Sequence, residues 1–515
     1  MLALIAVLVH ISVVFAATAD QWRGRSIYQV LTDRFALTNG TTTKLCDTSQ
    51  RVYCGGAWQG LINKLDYIQG MGFSAVWISP VTHQTPISNA SASGESFHGY
   101  WQDDLYSLNP AFGSPDDLRA LSAALHKRNM FLMVDIVVNH FSWPGDPSTI
   151  NYTAYRPFNQ AEHFHPFCQI QDSDYSNNQT RVEQCWLGND INQLPDVNTE
   201  SDFVQSTYKS WIKSLIANYS IDGLRIDTVR HIRHTFWSSF VSAAGVYAVG
   251  EIFDGDPLYT CPYQTALGAS TAGVLNYPAY FSITQAFSST NGSISALANQ
   301  FNTIKSTCPD TNLLGSFLEN HDNPRFPTLT QDSALTQNAI AFALLQDGIP
   351  IVYQGQEQHY SGGADPANRE ALWLSGYNTS SALYTFIRQI NTLRNTAVAR
   401  DKGYTTYKAW PIHTDNSTIA LRKGSDGKAM ISVFSNLGVK GQPYTLNISQ
   451  TGYYPGSVVV EILSCHKYTV SQNGTLAVDM GAGALGVFYP LIQLSGSGIC
   501  GAGKRPEEGW GRQWS

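Results

Sequence analysis

Between residues 27 and 353 the chain repeats one pattern. A short apolar, β-branched run ends in polar residues at 27–32, 73–79, 131–138, 223–226, 246–249, 273–275, 313–318 and 349–353. Runs of this length bounded by polar residues predict strands. Most are separated by amphipathic stretches. Residues 116–128 place Leu118, Leu121, Ala124 and Leu125 on one face, with Ser114-Pro115 as cap and first turn. Residues 203–219 form another such stretch. Eight strand–helix units predict an α/β fold, a (β/α)8 TIM barrel. An open doubly wound sheet is the alternative, but no G-x-G-x-x-G follows the first strand.

The pattern breaks twice. Residues 141–197 are rich in Asn, Asp, Gln, Tyr and Pro, hold two cysteines and show no helical period. A βα loop has about two to six residues, so this stretch predicts an inserted loop-rich domain after strand 3. Its apolar content is low, so something other than burial is expected to hold it to the barrel. Beyond residue 405, alternating runs at 419–422, 430–434, 458–463 and 486–489 predict a C-terminal antiparallel β-sandwich domain. The expected division is 20–140 and 198–405 for the barrel, 141–197 for the insert, 406–500 for the β domain and 501–515 for a loose tail.

The N-terminus and the cysteines suggest the compartment. Residues 2–17 are almost wholly apolar, and Ala17-Thr18-Ala19 fits an A-x-A cleavage site. Residues 1–19 therefore predict a secretory signal peptide, although no Lys or Arg precedes the apolar run. An uncleaved anchor is the rival reading. Eight cysteines, an even number, predict four disulfides in a secreted, extracellular protein. Sequence alone does not choose their connectivity. Their sequential grouping motivates Cys46–Cys54, Cys168–Cys185, Cys261–Cys308 and Cys465–Cys500 as the expectation. No C-x-x-C occurs. Sequons at Asn39, Asn89, Asn151, Asn178, Asn218, Asn291, Asn378, Asn416, Asn447 and Asn473 suit a glycoprotein. Charged residues are 14% and the net charge is −7, with no run of like charge. That argues against nucleic acid and against an anionic membrane surface as partners. A hydrophobic content of 43% argues against disorder.

Side chains at the C-terminal ends of barrel strands line the active site. Those ends carry Asp135, Asn139 and His140; Arg225 and Asp227; Glu251; and Glu319, His321 and Asp322. Singly, such acids are more often caps or ion-pair partners. Together on one rim they supply what glycoside hydrolysis requires: one carboxylate to attack the anomeric carbon and one carboxylic acid to protonate the leaving oxygen.

These motifs carry a resemblance. DIVVNH (135–140), GLRIDTVRH (223–231), GEIF (250–253) and FLENHD (317–322) resemble the four strand-end motifs of the α-amylase family, glycoside hydrolase family 13. GFSAVWISP (72–80), LPDVN (194–198) and GIPIVYQGQE (348–357) resemble its secondary motifs. CGGAWQG, FHGYWQDD, CWLGND and DPANREALWLSGY are similar to its fungal, Taka-amylase type. The resemblance spans about residues 20–500. It implies a secreted, monomeric, endo-acting α-amylase that cleaves α-1,4-glucosidic bonds of starch, glycogen and maltooligosaccharides with retention. A glucanotransferase or maltogenic relative, or a catalytically silent α-glucan-binding protein, are the alternatives.

By the same resemblance, Asp227 is the nucleophile, Glu251 the general acid and then base, and Asp322 the transition-state stabiliser. Arg225 is expected to hold Asp227 ionised. His140 and His321 are expected to bond the sugar at the cleavage point, with Tyr100 stacking on it and Trp101 nearby. Asp365 and Arg369 contact the next sugar on the non-reducing side. Arg230 stands where the subgroup usually has Lys, on the leaving side. The resemblance also implies Ca²⁺ between barrel and insert, held by side-chain oxygens of Asn139 and Asp196 and main-chain carbonyls of Glu183 and His231.

Overall fold

The computed structural model describes residues 17–87 and 94–503. The apolar run 1–16, the Asn89 sequon and residues 504–515 of the expected tail lie outside the described residues.

Each of the eight predicted runs overlaps a strand: β1 (Ile27–Val30), β2 (Ala75–Ile78), β3 (Phe131–Ile136), β4 (Gly223–Ile226), β5 (Tyr247–Gly250), β6 (Ala272–Val274), β7 (Gly315–Ser316) and β8 (Ile349–Tyr353). They pair in parallel in the order β6-β5-β4-β3-β2-β1-β8-β7. A parallel bridge between Leu275 and Gly315 joins the two outer strands and closes the barrel.

Period-two alternation divides each strand between two cores. Ile27, Ala75, Trp77, Met133, Val249 and Ile351 fill the barrel interior. Tyr28, Val76, Ile78, Leu132, Val134, Leu224 and Ile226 face the surrounding helices. Both faces are buried, which is why the strands read as unbroken apolar runs. The helix Pro115–Lys127 begins at a capping box in which Ser114 Oγ accepts from Asp117 N and the Asp117 carboxylate accepts from Ser114 N. It buries Leu118, Leu121 and Leu125 as predicted, with Ala124 half-buried. The helix Asp202–Tyr219 buries Val204, Tyr208, Trp211, Ile212, Leu215 and Ile216.

The insert corrects the expectation that burial does not hold it. Phe141, Tyr155, Phe158 and Phe164 are all buried, and the Phe141 ring lies 5.2, 5.8 and 5.8 Å from those of Tyr155, Phe158 and Phe164. Phe158 also packs 4.9 Å from Tyr208 on the barrel helix. A few aromatic rings bury large areas from irregular backbone, so no periodicity announces such a core. The insert also contains short helices at Asp174–Asn177 and Gln179–Gln184, too brief to show a period.

The disulfides are Cys46–Cys54, Cys168–Cys185, Cys261–Cys308 and Cys465–Cys500, as expected.

The C-terminal domain packs a six-stranded antiparallel sheet, which includes Thr418–Lys423, Met430–Ser435, Val458–Glu461 and Gly486–Pro490, against a ribbon of Tyr444–Ile448 and Leu476–Met480. Ile431, Val433, Leu446, Ile448, Val459, Val478 and Phe488 form its core. A buried ion pair ties it to the barrel. Lys423 Nζ lies 2.6 Å from Asp347 and also donates to Asn312 Oδ1 (2.9 Å) and the Tyr407 carbonyl (2.7 Å).

Candidate active site

Strand register assembles the acidic centre. Asp135 on β3 lies opposite Arg225 on β4. Arg225 and Asp227 share one side of their strand, being two residues apart. Arg225 Nη1 donates to Asp227 Oδ1 (2.7 Å) and Asp135 Oδ1 (3.0 Å), and its Nη2 lies 2.9 Å from Glu251 Oε1. One fully buried guanidinium therefore holds three carboxylates.

Arg225 acts on Asp227 in the direction expected, against burial. Burial pushes the Asp227 carboxyl well above the usual carboxylate range, Arg225 opposes the shift, and Glu251 and Asp135 add to it. Asp135 is likewise raised to about 6 by burial, against the pull of Arg225 and of the Tyr100 hydroxyl.

Glu251 is placed by the turn after β4. Thr228 has φ 50°, and its N–H donates to Glu251 Oε2 at 3.0 Å. A β-branched residue in the left-handed region is strained, and such strain persists where the surroundings over-determine it. Gly250, just before Glu251, sits where a side chain would have to push its neighbours aside. A Cβ there would fall 2.7 Å from Leu267 and 2.9 Å from Val229.

Across the centre stands Asp322. His321 Nδ1 lies 2.8 Å from Gln29 Nε2, an amide donor, so Nδ1 accepts and the proton sits on Nε2, which faces Asp322 Oδ2 at 3.4 Å. Burial, with Arg369 and Arg225 nearby, pushes the His321 imidazole well down and keeps it neutral. The Tyr100 ring stacks on His321, with centroids 5.4 Å apart and planes at 4°, while its hydroxyl donates to Asp135 Oδ2 at 2.7 Å. His140 Nε2 lies 3.2 Å from the Tyr100 carbonyl, and burial lowers this imidazole to about 4. Its Nε2 is therefore committed to main chain as a donor.

Tyr100, Trp101, His140, Asp227, Glu251, His321, Asp322, Asp365 and Arg369 line one cleft of about 340 Å³, with Arg225 buried beneath. Sequence reading missed other residues of its wall: Arg51, His98 and Thr228, with Leu187 and Leu194 from the insert. Only the strand-end residues carried a local signal. Arg230 stands outside this wall. Its guanidinium stacks 4.1 Å from the Tyr175 ring centroid and donates to the Phe253 carbonyl at 2.7 Å.

At the junction of barrel and insert, a bridge pairs His140 with Asp196, and Val197 N donates to the Asn139 carbonyl at 2.8 Å. Asn139 Oδ1 and Asp196 Oδ1 are buried and have no hydrogen-bond partner. The second Asp196 oxygen accepts from His165 Nδ1 at 2.6 Å. Gln179 Nε2 joins this region to the next by donating to Glu183 Oε1 and to the Arg230 carbonyl, both at 3.0 Å. Two orphaned, buried, hard oxygens suit a divalent cation with oxygen ligands. Among the described residues no group of three or more His, Cys, Asp or Glu suited to a metal occurs. The expected set has a single carboxylate and takes its other oxygens from an amide and main chain.

The family model for the α-amylase catalytic domain matches residues 29–423, and that for α-amylase domain C matches 411–508. The chain is 56% identical over 483 residues to α-amylase 1 of Lipomyces kononenkoae, covering 94% of this chain and 76% of that protein. It is 49% identical to α-amylase 2 of Schwanniomyces occidentalis, covering 94% of each. The solved α-amylase of Malbranchea cinnamomea superposes with a TM-score of 0.90 at 50% identity, over 94% of this chain and all of that one. With this match over most of its length, and with the acidic centre at the C-terminal rim of a (β/α)8 barrel, the chain belongs to the α-amylase family of glycoside hydrolases.

Proposed function

We propose that this chain is a secreted, endo-acting α-amylase that hydrolyses internal α-1,4-glucosidic bonds of starch and glycogen with retention. The observation that carries this reading is the Arg225 guanidinium holding Asp227 and Glu251 together at the floor of a cleft, with Asp322 across from them. Asp227 attacks the anomeric carbon, and Glu251 donates its proton to the leaving oxygen. Water then opens the covalent glycosyl-enzyme, with Glu251 acting as base. Asp322 grips sugar hydroxyls. Tyr100 and His321 form one rigid wall at the cleavage point, because the Tyr100 hydroxyl is fixed on Asp135. Asp365 and Arg369 take the next sugar on the non-reducing side. The functional units are the barrel (20–140 and 198–405), the insert (141–197) and the β domain (406–500). A leader with an A-x-A site and four disulfides support secretion.

The test is hydrolysis of soluble starch with products sized, together with proton NMR in the first minutes. Viscosity should fall before many reducing ends appear, and the first-formed anomer should be α. A β-anomer first, or no turnover, overturns the assignment.

Asn139, Asp196 and the carbonyls of Glu183 and His231 would hold Ca²⁺. The ion supplies an electrostatic tie between oxygens of the two domains and no part of the bond-breaking chemistry.

Arg230 should set what happens on the leaving side. Its Nη1 donates to the Phe253 carbonyl while its plane lies against the Tyr175 ring, a stacking that a lysine ammonium does not reproduce. In Arg230→Lys the ratio of transfer to hydrolysis products should change more than the rate on long starch. Chromatography of maltopentaose digests reads it, and an unchanged product ladder would show the position to be silent.

A further inference from the structure

Gln29 is a polar residue in the apolar interior of the barrel. On β1, alternation turns Ile27 and Gln29 inward and Tyr28 and Val30 outward to the helices. Gln29 is 3% exposed, and in register it lies between Tyr353 on β8 and Trp77 on β2. Among the described residues its side chain makes one hydrogen bond, from Nε2 to His321 Nδ1 at 2.8 Å, and its Oε1 has no partner. Burying an amide costs free energy unless it is paired. Here the pairing goes to His321 and nothing else.

The ring contacts of His321 fix its plane but not the position of its nitrogens. Its face stacks on Tyr100, the Trp77 ring meets it edge-on at 6.5 Å, and the Tyr353 ring lies tilted at 6.4 Å. A half-turn of the imidazole about its own axis keeps these contacts and exchanges nitrogen for carbon along both edges. Nε2 faces Asp322 Oδ2 at 3.4 Å, long for a hydrogen bond. Gln29 therefore supplies the close contact that tells the two edges apart. Were its amide turned over, Nδ1 would need the proton, and the neutral ring would present a lone pair from Nε2 to Asp322 and the cleft. The anchor is rigid. Gln29 belongs to a strand of the closed barrel, and its main-chain carbonyl accepts from Gln354 N at 3.0 Å. His321 lies in the loop after β7, where an outside partner is needed to hold it.

We infer that Gln29 is a positioning residue for hydrolysis: its amide N–H holds His321 in the tautomer and ring orientation that present Nε2–H to the sugar at the cleavage point. This rests on the proposed contact of His321 with that sugar. Gln29 does not line the cleft itself and acts only through the imidazole.

The test is steady-state kinetics of the full-length enzyme on maltopentaose, with melting temperatures, for Gln29→Met, Gln29→Glu, His321→Gln and the double variant Gln29→Met with His321→Gln. Met keeps nearly the volume of Gln and has no donor. In Gln29→Met, kcat should fall roughly tenfold, the scale of one buried hydrogen-bonding atom left unpaired, and KM should change less. Gln29→Glu should retain more activity than Gln29→Met. Its carboxylic acid either donates to Nδ1 or passes its proton to the ring, and Nε2–H is kept in both cases. A packing role alone gives the reverse order, because Met is the easier side chain to bury. In the His321→Gln background, Gln29→Met should cost less than about twofold, since the group it acts through is gone. Gln29→Leu, also without a donor, takes the place of the Met variant should that fold poorly. Wild-type kcat in the donorless variant, or a loss undiminished in the His321→Gln background, overturns the role of Gln29 and leaves the His321 contact standing. Wild-type kcat in His321→Gln overturns the contact with the sugar and the role of Gln29 together.

Discussion

Glu251→Gln should lower turnover of maltooligosaccharides by roughly a thousandfold or more, the upper range of what a positioned acid contributes, while binding of the same sugars persists. The geometry separates the two effects. Glu251 receives Thr228 N on one oxygen and Arg225 Nη2 on the other. A glutamine satisfies only one of these donors, because its NH₂ must face the other. The side chain is thus loosened, but neither Asp227 nor the sugar-facing wall of Tyr100 and His321 is removed. The nucleophile survives and the proton donor does not. A glucosyl substrate whose leaving group needs no proton should therefore still form the covalent adduct on Asp227. The adduct should then persist, because the base for the second step is also missing. Intact-protein mass spectrometry would detect it. Turnover within tenfold of wild type, or an adduct absent from Glu251→Gln but present on the native enzyme, would remove Glu251 from the role of acid and base.

The parts of this site that were legible in the sequence are those fixed by strand periodicity. Asp227, Glu251 and Asp322 follow strands buried on both faces, and such strands appear as dense β-branched runs whose ends can be read. The C-terminal domain was harder. Its ribbon buries Leu446 and Ile448 but exposes Thr445 and Asn447 between them, so the run looks polar. The edge strand Trp410–Thr414 is half-exposed along most of its length. The aromatic core of the insert sits on irregular backbone and has no period to detect. Arg51 and Tyr175 sit outside the strands, and their approach to Asp365 and Arg230 is set by tertiary contacts far apart in sequence. Asp135 was visible at a strand end. Its role as common acceptor for Arg225, Tyr100 and Trp77 Nε1 (3.0 Å) emerges only from the register of β3 against β4.

Removing calcium should cost several degrees of melting temperature and part of the activity, and restoring it should recover both. A ligand bound only by the folded state adds RT ln(1 + [L]/Kd), about 4 kcal/mol at a thousandfold excess over Kd. The aromatic core of Phe141, Tyr155, Phe158 and Phe164 sets a limit on the loss, because it keeps the insert packed on the barrel without the ion. Chelation should therefore loosen the edge carrying Asn139 and Asp196 and leave the insert folded. The orphaned oxygens define the variants. Asp196→Ala removes one of the proposed cation ligands and also strands His165 Nδ1, now 2.6 Å from the carboxylate, so it should destabilise more than chelation alone and lose the response to added Ca²⁺. Asp196→Asn should also lose the response but melt higher than Asp196→Ala. Its amide oxygen can still accept from His165, and its NH₂ can donate to Asn139 Oδ1, filling by hydrogen bond the place of the ion. Scanning calorimetry of wild type and both variants, each in chelator and in Ca²⁺, checks the ordering. Identical wild-type curves in the two conditions after long incubation would mean that Asn139 and Asp196 bind no cation that matters to the fold.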